Sequence, residues 1–125
     1  MTTAADSQGL SFGYRLDRGI AVVKVSGELD LSTCGTLRDS LLRVVTDEDR
    51  LGLVVNMSGV TFIDSTGIGV LVGIWHRVRA GNSRMALAEL SRPVEQLLNT
   101  AGLTKILPVH PDDAQAVDAL LESPV

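Results

Sequence analysis

The run Phe-Ile-Asp-Ser-Thr-Gly-Ile-Gly at residues 62–69 sets a carboxylate, Asp64, beside two hydroxyls, Ser65 and Thr66, and two glycines, Gly67 and Gly69. It lies between an apolar stretch and a segment of helical period, and residues of these types serve three chemistries. A serine in a strained strand-to-helix turn can be an acyl-transfer nucleophile. Glycines at the start of a helix can cradle a phosphate, and an exposed hydroxyl there can accept one from a partner kinase.

The nucleophile reading needs a glycine two residues before the serine, where this chain has Ile63. It also needs a histidine base with an acidic orienter, and no spacing places His76 or His110 beside Ser65. No catalysis is expected. The dinucleotide reading has more behind it: Gly67, Gly69 and Gly73 approximate a Rossmann glycine series, with Glu89 further on at a strand end. The spacing is G-x-G-x-x-x-G rather than G-x-G-x-x-G, and too little chain follows for two mononucleotide halves and a substrate domain. It stays as the weaker alternative, and no cofactor is expected.

In the third reading Ser65 is the N-cap of a helix, its oxygen facing amides that lack intrahelical partners. That accounts for one hydroxyl but not for Gly67 and Gly69, which cost helix stability relative to alanine. Gly69 and Gly73 lie one turn apart and, with Thr66, leave a bare strip. The strip either lets the helix approach a sheet or gives a partner's backbone access.

The elements that must position these residues follow from periodicity. Alternation in residues 10–16 and 20–26, broken by Asp17-Arg18-Gly19, predicts a β-hairpin. A helix capped by Ser32 or Thr33 follows, with Cys34, Leu37, Leu41, Val44 and Val45 on one face. Residues 51–57 form a buried strand, and Ile68, Leu71, Val72, Trp75 and Val78 make one stripe of the next helix, ended by Gly81 and Asn82. A strand at 84–89 and a helix with Ser91 as cap, Pro93 in its first turn and Gly102 as its stop come next. A weak edge strand at 106–109 precedes a last helix with Val117, Leu120 and Leu121 inward. The order ββαβαβαβα implies an α/β fold, a mixed β-sheet with helices packed on it. Residues 1–10 are expected to be a flexible segment and 11–122 a single domain.

The 125 residues are 45% hydrophobic and 21% charged, an ordinary globular composition, and the net charge of −4 argues against a direct nucleic-acid binder. Arg77, Arg79 and Arg84 read as a solvated helix end whose cations complement the helix dipole. The N-terminal residues lack the pattern of a secretory signal and no apolar run reaches membrane-spanning length, so a cytoplasmic address without membrane contact is expected. Cys34 is the one cysteine and reads as packing. The two histidines have no companions at metal-ligand spacing, so no metal is expected.

Three stretches, GELDLST at 27–33, VVNMSGVTFIDSTGIGVLVG at 54–73 and AGLTKILPV at 101–109, resemble the anti-sigma factor antagonists, single-domain proteins of the STAS fold. The resemblance implies a non-enzymatic protein that binds an anti-sigma factor serine kinase and thereby frees a sigma factor. The kinase would switch it off by phosphorylating Ser65, with Thr66 the second candidate, and a phosphatase would restore it. Asp30 matches the aspartate that faces the kinase, Asp64 precedes the acceptor, and Gly27 and Glu28 complete the Asp30 turn. Asp30, Asp64, Ser65, Thr66, Gly67, Gly69 and Gly73 are therefore the expected partner-binding residues. Asn56 stands where many members have Asp, which implies one charge fewer near the site, and Cys34-Gly35 replaces a commoner small residue and proline. The same motif occurs in STAS domains that act as scaffolds whose serine is never phosphorylated, the alternative within the fold.

Overall fold

A computed structural model describes residues 5–7, 9–46 and 51–122. Strand β2 (Leu10–Asp17) pairs antiparallel with both β1 (Ala5–Ser7) and β3 (Ile20–Leu29). Arg18 and Gly19 turn β2 into β3 with φ of 52° and 86°, a two-residue turn whose hand matches the twist of the strands. Strand-helix-strand crossovers follow: α1 (Cys34–Val45), β4 (Gly52–Ile63), α2 (Ser65–Ala80), β5 (Met85–Ala88), α3 (Arg92–Thr100), a 3-10 turn at Leu103–Lys105, β6 (Val109–His110) and α4 (Asp113–Glu122). β3 to β6 are mutually parallel, and the six strands lie in the sheet in chain order.

This is the expected mixed α/β architecture with one strand added in front. The addition corrects the reading of residues 1–10 as a flexible segment: Ala5–Ser7 pairs with Phe12–Leu10, and Leu10 is buried. β2 would otherwise present an unpaired edge, and even a polar tripeptide can satisfy its backbone groups. Residues 1–4 and 8 lie outside the described residues.

The main core lies between one face of the sheet and α1, α2 and α3, with Leu37, Leu41, Leu71, Ile74, Val94 and Leu98 meeting Val23, Val25, Val55 and Met57. On the other face α4 places Ala116 and Val117 against Val22, Val54 and Ala86. β4 is thus covered on both sides, which explains its continuous apolar run. It also extends past Met57 to Ile63 and stays paired with β3 through two register shifts, where β4 carries one extra residue opposite Lys24/Ser26 and another opposite Gly27/Glu28.

Two further expectations need correction. The buried side of α2 is Gly67, Val70, Leu71, Ile74 and Val78, so Ile68, Val72 and Trp75 lie half-buried at its margins. Leu121 points outward, leaving Val117 and the half-buried Leu120 as the inward pair. Ser91 is the N-cap residue of α3, as read, although its side chain makes no capping bond. The stop of α2 is as read: Asn82 takes the left-handed conformation, and Ser83 N–H reaches Val78 O at 2.9 Å.

Candidate functional site

The end of β4 runs directly into α2, and the residue that caps α2 is Asp64, not Ser65. One carboxylate oxygen, Oδ1, accepts Thr66 N–H at 2.9 Å, Gly67 N–H at 3.1 Å and the Thr66 hydroxyl at 2.5 Å. The Thr66 hydroxyl and these amides hold the Asp64 carboxyl below the usual carboxylate range, against the desolvation that pushes the other way. Ser65 is the first helical residue, exposed, and its hydroxyl has no hydrogen-bond partner among the described residues. Asp and Ser are both good caps, so composition could not choose between them. The choice follows from Gly67, which must face β3.

A Cβ on Gly67 would stand 2.6 Å from Leu29 O and 2.9 Å from the Leu29 Cβ. Nothing but glycine fits there without a shift. Gly69 and Gly73 are different: both are exposed, with nothing within 4 Å of a Cβ. The bare strip therefore divides, Gly67 serving the approach to the sheet while Gly69 and Gly73 open outward. They line a groove between α1 and α2 together with Thr66, Cys34, Arg38 and Arg77. Cys34 is half-buried at its rim, packs on the main core, and points Sγ at Leu31 O, 3.4 Å away.

The second turn follows β3. Asp30 Oδ1 accepts Ser32 N–H at 3.0 Å, the Ser32 hydroxyl at 2.7 Å and Thr33 N–H at 3.2 Å. Thr33 heads α1 without a side-chain capping bond; its hydroxyl instead donates to Glu28 O at 2.6 Å and accepts Asp30 N–H at 3.0 Å. The turn is locked before α1 begins. The two turns are joined by Asp64 N–H donating to Leu29 O at 3.0 Å. The structure thus brings Asp30, Asp64, Ser65, Thr66 and Gly67 to one end of the parallel strands, with Gly69 and Gly73 one and two turns along α2.

Two residues at this end were missed in the sequence. Leu31 is 76% exposed on the Asp30 turn, and Phe62 is 42% exposed opposite its ladder partner Glu28. The signal for Leu31 was available: an apolar residue inside a turn of Asp, Ser and Thr has no core to enter. Asn56, by contrast, is not at the site. It is buried on the α4 face, where Nδ2 donates to Asp113 Oδ1 at 2.8 Å and Oδ1 accepts Ser58 N–H at 2.9 Å.

The geometry disfavours the other chemistries. A pyrophosphate would sit on the first amides of α2, and the Asp64 carboxylate already occupies two of them. Gly69 and Gly73 are inside the helix rather than in a phosphate loop. The His76 ring lies tilted against Trp75 with ring centroids 4.9 Å apart, about 16 Å along α2 from Ser65 at the rise of a helix. Among the described residues no helix is long and apolar enough to cross a membrane.

A parallel sheet opened by a hairpin, with a capped serine turn at its carboxyl end, defines a class that the comparisons identify. The STAS domain family matches residues 14–116, and the chain belongs to that family. Proteins that it is similar to include anti-sigma factor antagonists. An anti-sigma F factor antagonist from Paenibacillus polymyxa is 30% identical over 103 residues, 82% of this chain and 88% of that protein. The structure of an anti-sigma factor antagonist from Mycobacterium paratuberculosis superposes with a TM-score of 0.82 at 25% identity, covering 90% of this chain and 95% of that one. The antagonist SpoIIAA of Bacillus, 21% identical, shares the fold in its unphosphorylated form (TM-score 0.74, 91% and 99% covered) and its phosphorylated form (0.65, 86% and 96%).

Proposed function

We propose that this chain is an anti-sigma factor antagonist switched by phosphorylation of Ser65. Unphosphorylated, it binds in the cytoplasm an anti-sigma factor that is also a serine kinase, and so frees a sigma factor. Phosphorylated, it lets go, and a phosphatase restores it. Asp30, Asp64, Ser65, Thr66, Gly67, Gly69 and Gly73 carry the contact, with Leu31 and Phe62 as apolar anchors beside them. The names of the relatives support the antagonist role.

The observation that carries the choice of acceptor is the division of labour at the head of α2. The Thr66 hydroxyl donates to Asp64, whereas the Ser65 hydroxyl is exposed and unpartnered among the described residues. A kinase can take the second without breaking the cap. A phosphate on Ser65 would gain from the helix dipole, but the Thr66 and Gly67 amides are already engaged. It would therefore add about −1.5 to −2 charge beside Asp64 rather than rearrange the fold. An acidic or closely packed partner face would be repelled.

Incubation with a candidate anti-sigma kinase and ATP, followed by mass-spectrometric mapping, tests this. Phosphate at Ser65 is the expected result. Phosphate confined to Thr66 would move the acceptor, and no phosphate from any anti-sigma kinase of the source organism would leave a scaffold whose serine is not a switch.

A further inference from the structure

The far end of α2 carries a feature that the antagonist function does not use. A cavity of about 500 Å³ lies between the C-terminal turns of α2, the start of β5, β6 and α4. Arg79, Arg84 and His110 line it, and so do Trp75, Ile106 and Leu120. Arg84 Nη1 and His110 Nε2 are both buried without a hydrogen-bond partner among the described residues. They are the two buried side-chain polar atoms found in this condition there, and the residues that carry them line one cavity.

Such a pairing is costly unless something completes it. A guanidinium nitrogen out of water with no acceptor loses its solvation for nothing, so buried donors are nearly always matched. Among the described residues no carboxylate lines the cavity, although the chain carries fifteen acidic residues against eleven lysines and arginines. The acidic side chains that do pair with arginine, Asp17, Asp113 and Asp118, engage Arg15 and Arg18. Arg79 is already oriented, its guanidinium carbon 4.8 Å from the centroid of the Trp75 ring. The reading of Arg77, Arg79 and Arg84 as a solvated helix end holds for the exposed Arg77 and Arg79; Arg84 is half-buried instead.

We propose that this cavity binds a small organic anion, a phosphate or carboxylate head on an apolar body. Arg84 grips the head through its planar fork of donors, the geometry that suits both oxyanions. The His110 side chain lines the same cavity, and Arg79 adds charge at its mouth. The apolar body lies against Trp75, Ile106 and Leu120. The cavity is far larger than one bare ion needs, which is why an organic anion fits better than inorganic phosphate. Its α2 residues, Trp75 and Arg79, lie about 15 and 21 Å from Ser65 along α2 at the rise of a helix, so it is separate from the proposed switch.

Trp75 is the one tryptophan of the chain, and its fluorescence reports on this cavity directly. The full chain is titrated with phenyl phosphate, phenylacetate and, as the neutral control, benzyl alcohol, while NMR follows the Arg84 Nε–H and His110 ring signals. Saturable quenching by at least one anion, with shifts at Arg84 and His110 that benzyl alcohol does not produce, is expected; which anion wins distinguishes phosphate from carboxylate. Arg84→Met should weaken binding at least about tenfold, the loss of a charge-assisted hydrogen bond, and should hold or raise the melting temperature without ligand, because it removes an unmatched donor. Arg79→Gln, at the exposed mouth, should weaken binding with the fold intact. If neither anion shifts the Arg84 and His110 signals more than benzyl alcohol does, or if both variants bind as tightly as the parent, the site does not exist.

Discussion

Asp64 N–H donates to Leu29 O at 3.0 Å, and a Cβ at Gly67 would press on that same oxygen from 2.6 Å. Leu29 O is thus the point at which the Asp30 turn and the head of α2 are fastened together.

Gly67→Ala should destabilise the protein by about 1–3 kcal/mol, since backbone rather than a flexible side chain stands in the way. Gly69→Leu and Gly73→Leu should do the opposite, adding up to ~1 kcal/mol of helix stability because nothing lies within 4 Å of either Cβ position. Their loss should be in affinity for the anti-sigma factor, whose approach along the α1–α2 groove the leucines obstruct. Urea denaturation and calorimetric titration of each variant separate the two effects, and a loss of stability at Gly69 would contradict the outward placement.

Ser65→Ala should change stability by no more than about 0.5 kcal/mol, since Ser65 does not supply the cap. It should keep partner binding and lose phosphate acceptance. Ser65→Asp should fold and bind more weakly, though less weakly than the phosphoprotein, which carries more charge and bulk. Binding measured for all three forms checks the order. An alanine variant that melts far below the parent would restore the serine to the cap.

The lowered pKa of Asp64 gives the protein a pH dependence of known sign. A depressed folded value means stability that is fully present above the unfolded value, near about 3.9, and lost as pH falls through the folded one. Asp64→Asn keeps an accepting oxygen for the cap but cannot titrate. Unfolding curves from neutral to acid pH should therefore fall less steeply for the variant. Parallel curves would mean that Asp64 is not a source of the acid sensitivity.

Asn56→Asp, which restores the residue common in the resembling family, should be destabilising here. It would face the Asp113 carboxylate across the 2.8 Å now bridged by an amide donor. A loss of about 1–3 kcal/mol near neutral pH is expected. Crowded carboxylates have a raised folded pKa, so the stability is present below the unfolded value and lost as pH rises. Acidification should narrow the gap to the parent, and a gap that widens instead would place the cost elsewhere.

Much of this was legible in the chain. The Arg18-Gly19 turn, the crossovers and the Asn82 and Gly102 stops are local signals, and adjacent strands joined by short crossovers give a sheet in chain order. What escaped has physical reasons. The rotation of α2 was misjudged because a hydrophobic stripe cannot count a glycine as buried, yet Gly67 is the residue pressed to the sheet. β1 carries no apolar alternation and forms because β2 has an open edge. Arg84 and His110 are 26 positions apart, and only the β5–β6 pairing gathers them at one cavity.

Because Asp64 caps the helix and the Ser65 hydroxyl stands clear of that cap, the proposed acceptor is an ornament on the scaffold rather than a member of it. A lineage could exchange Ser65 for alanine, asparagine or aspartate and still sample folded proteins at every step. Regulation would then be gained or lost in single substitutions, without passing through an unfolded ancestor. Gly67 has no such latitude: its neighbours leave no room for drift, so descendants that abandon the switch would be expected to keep the glycine.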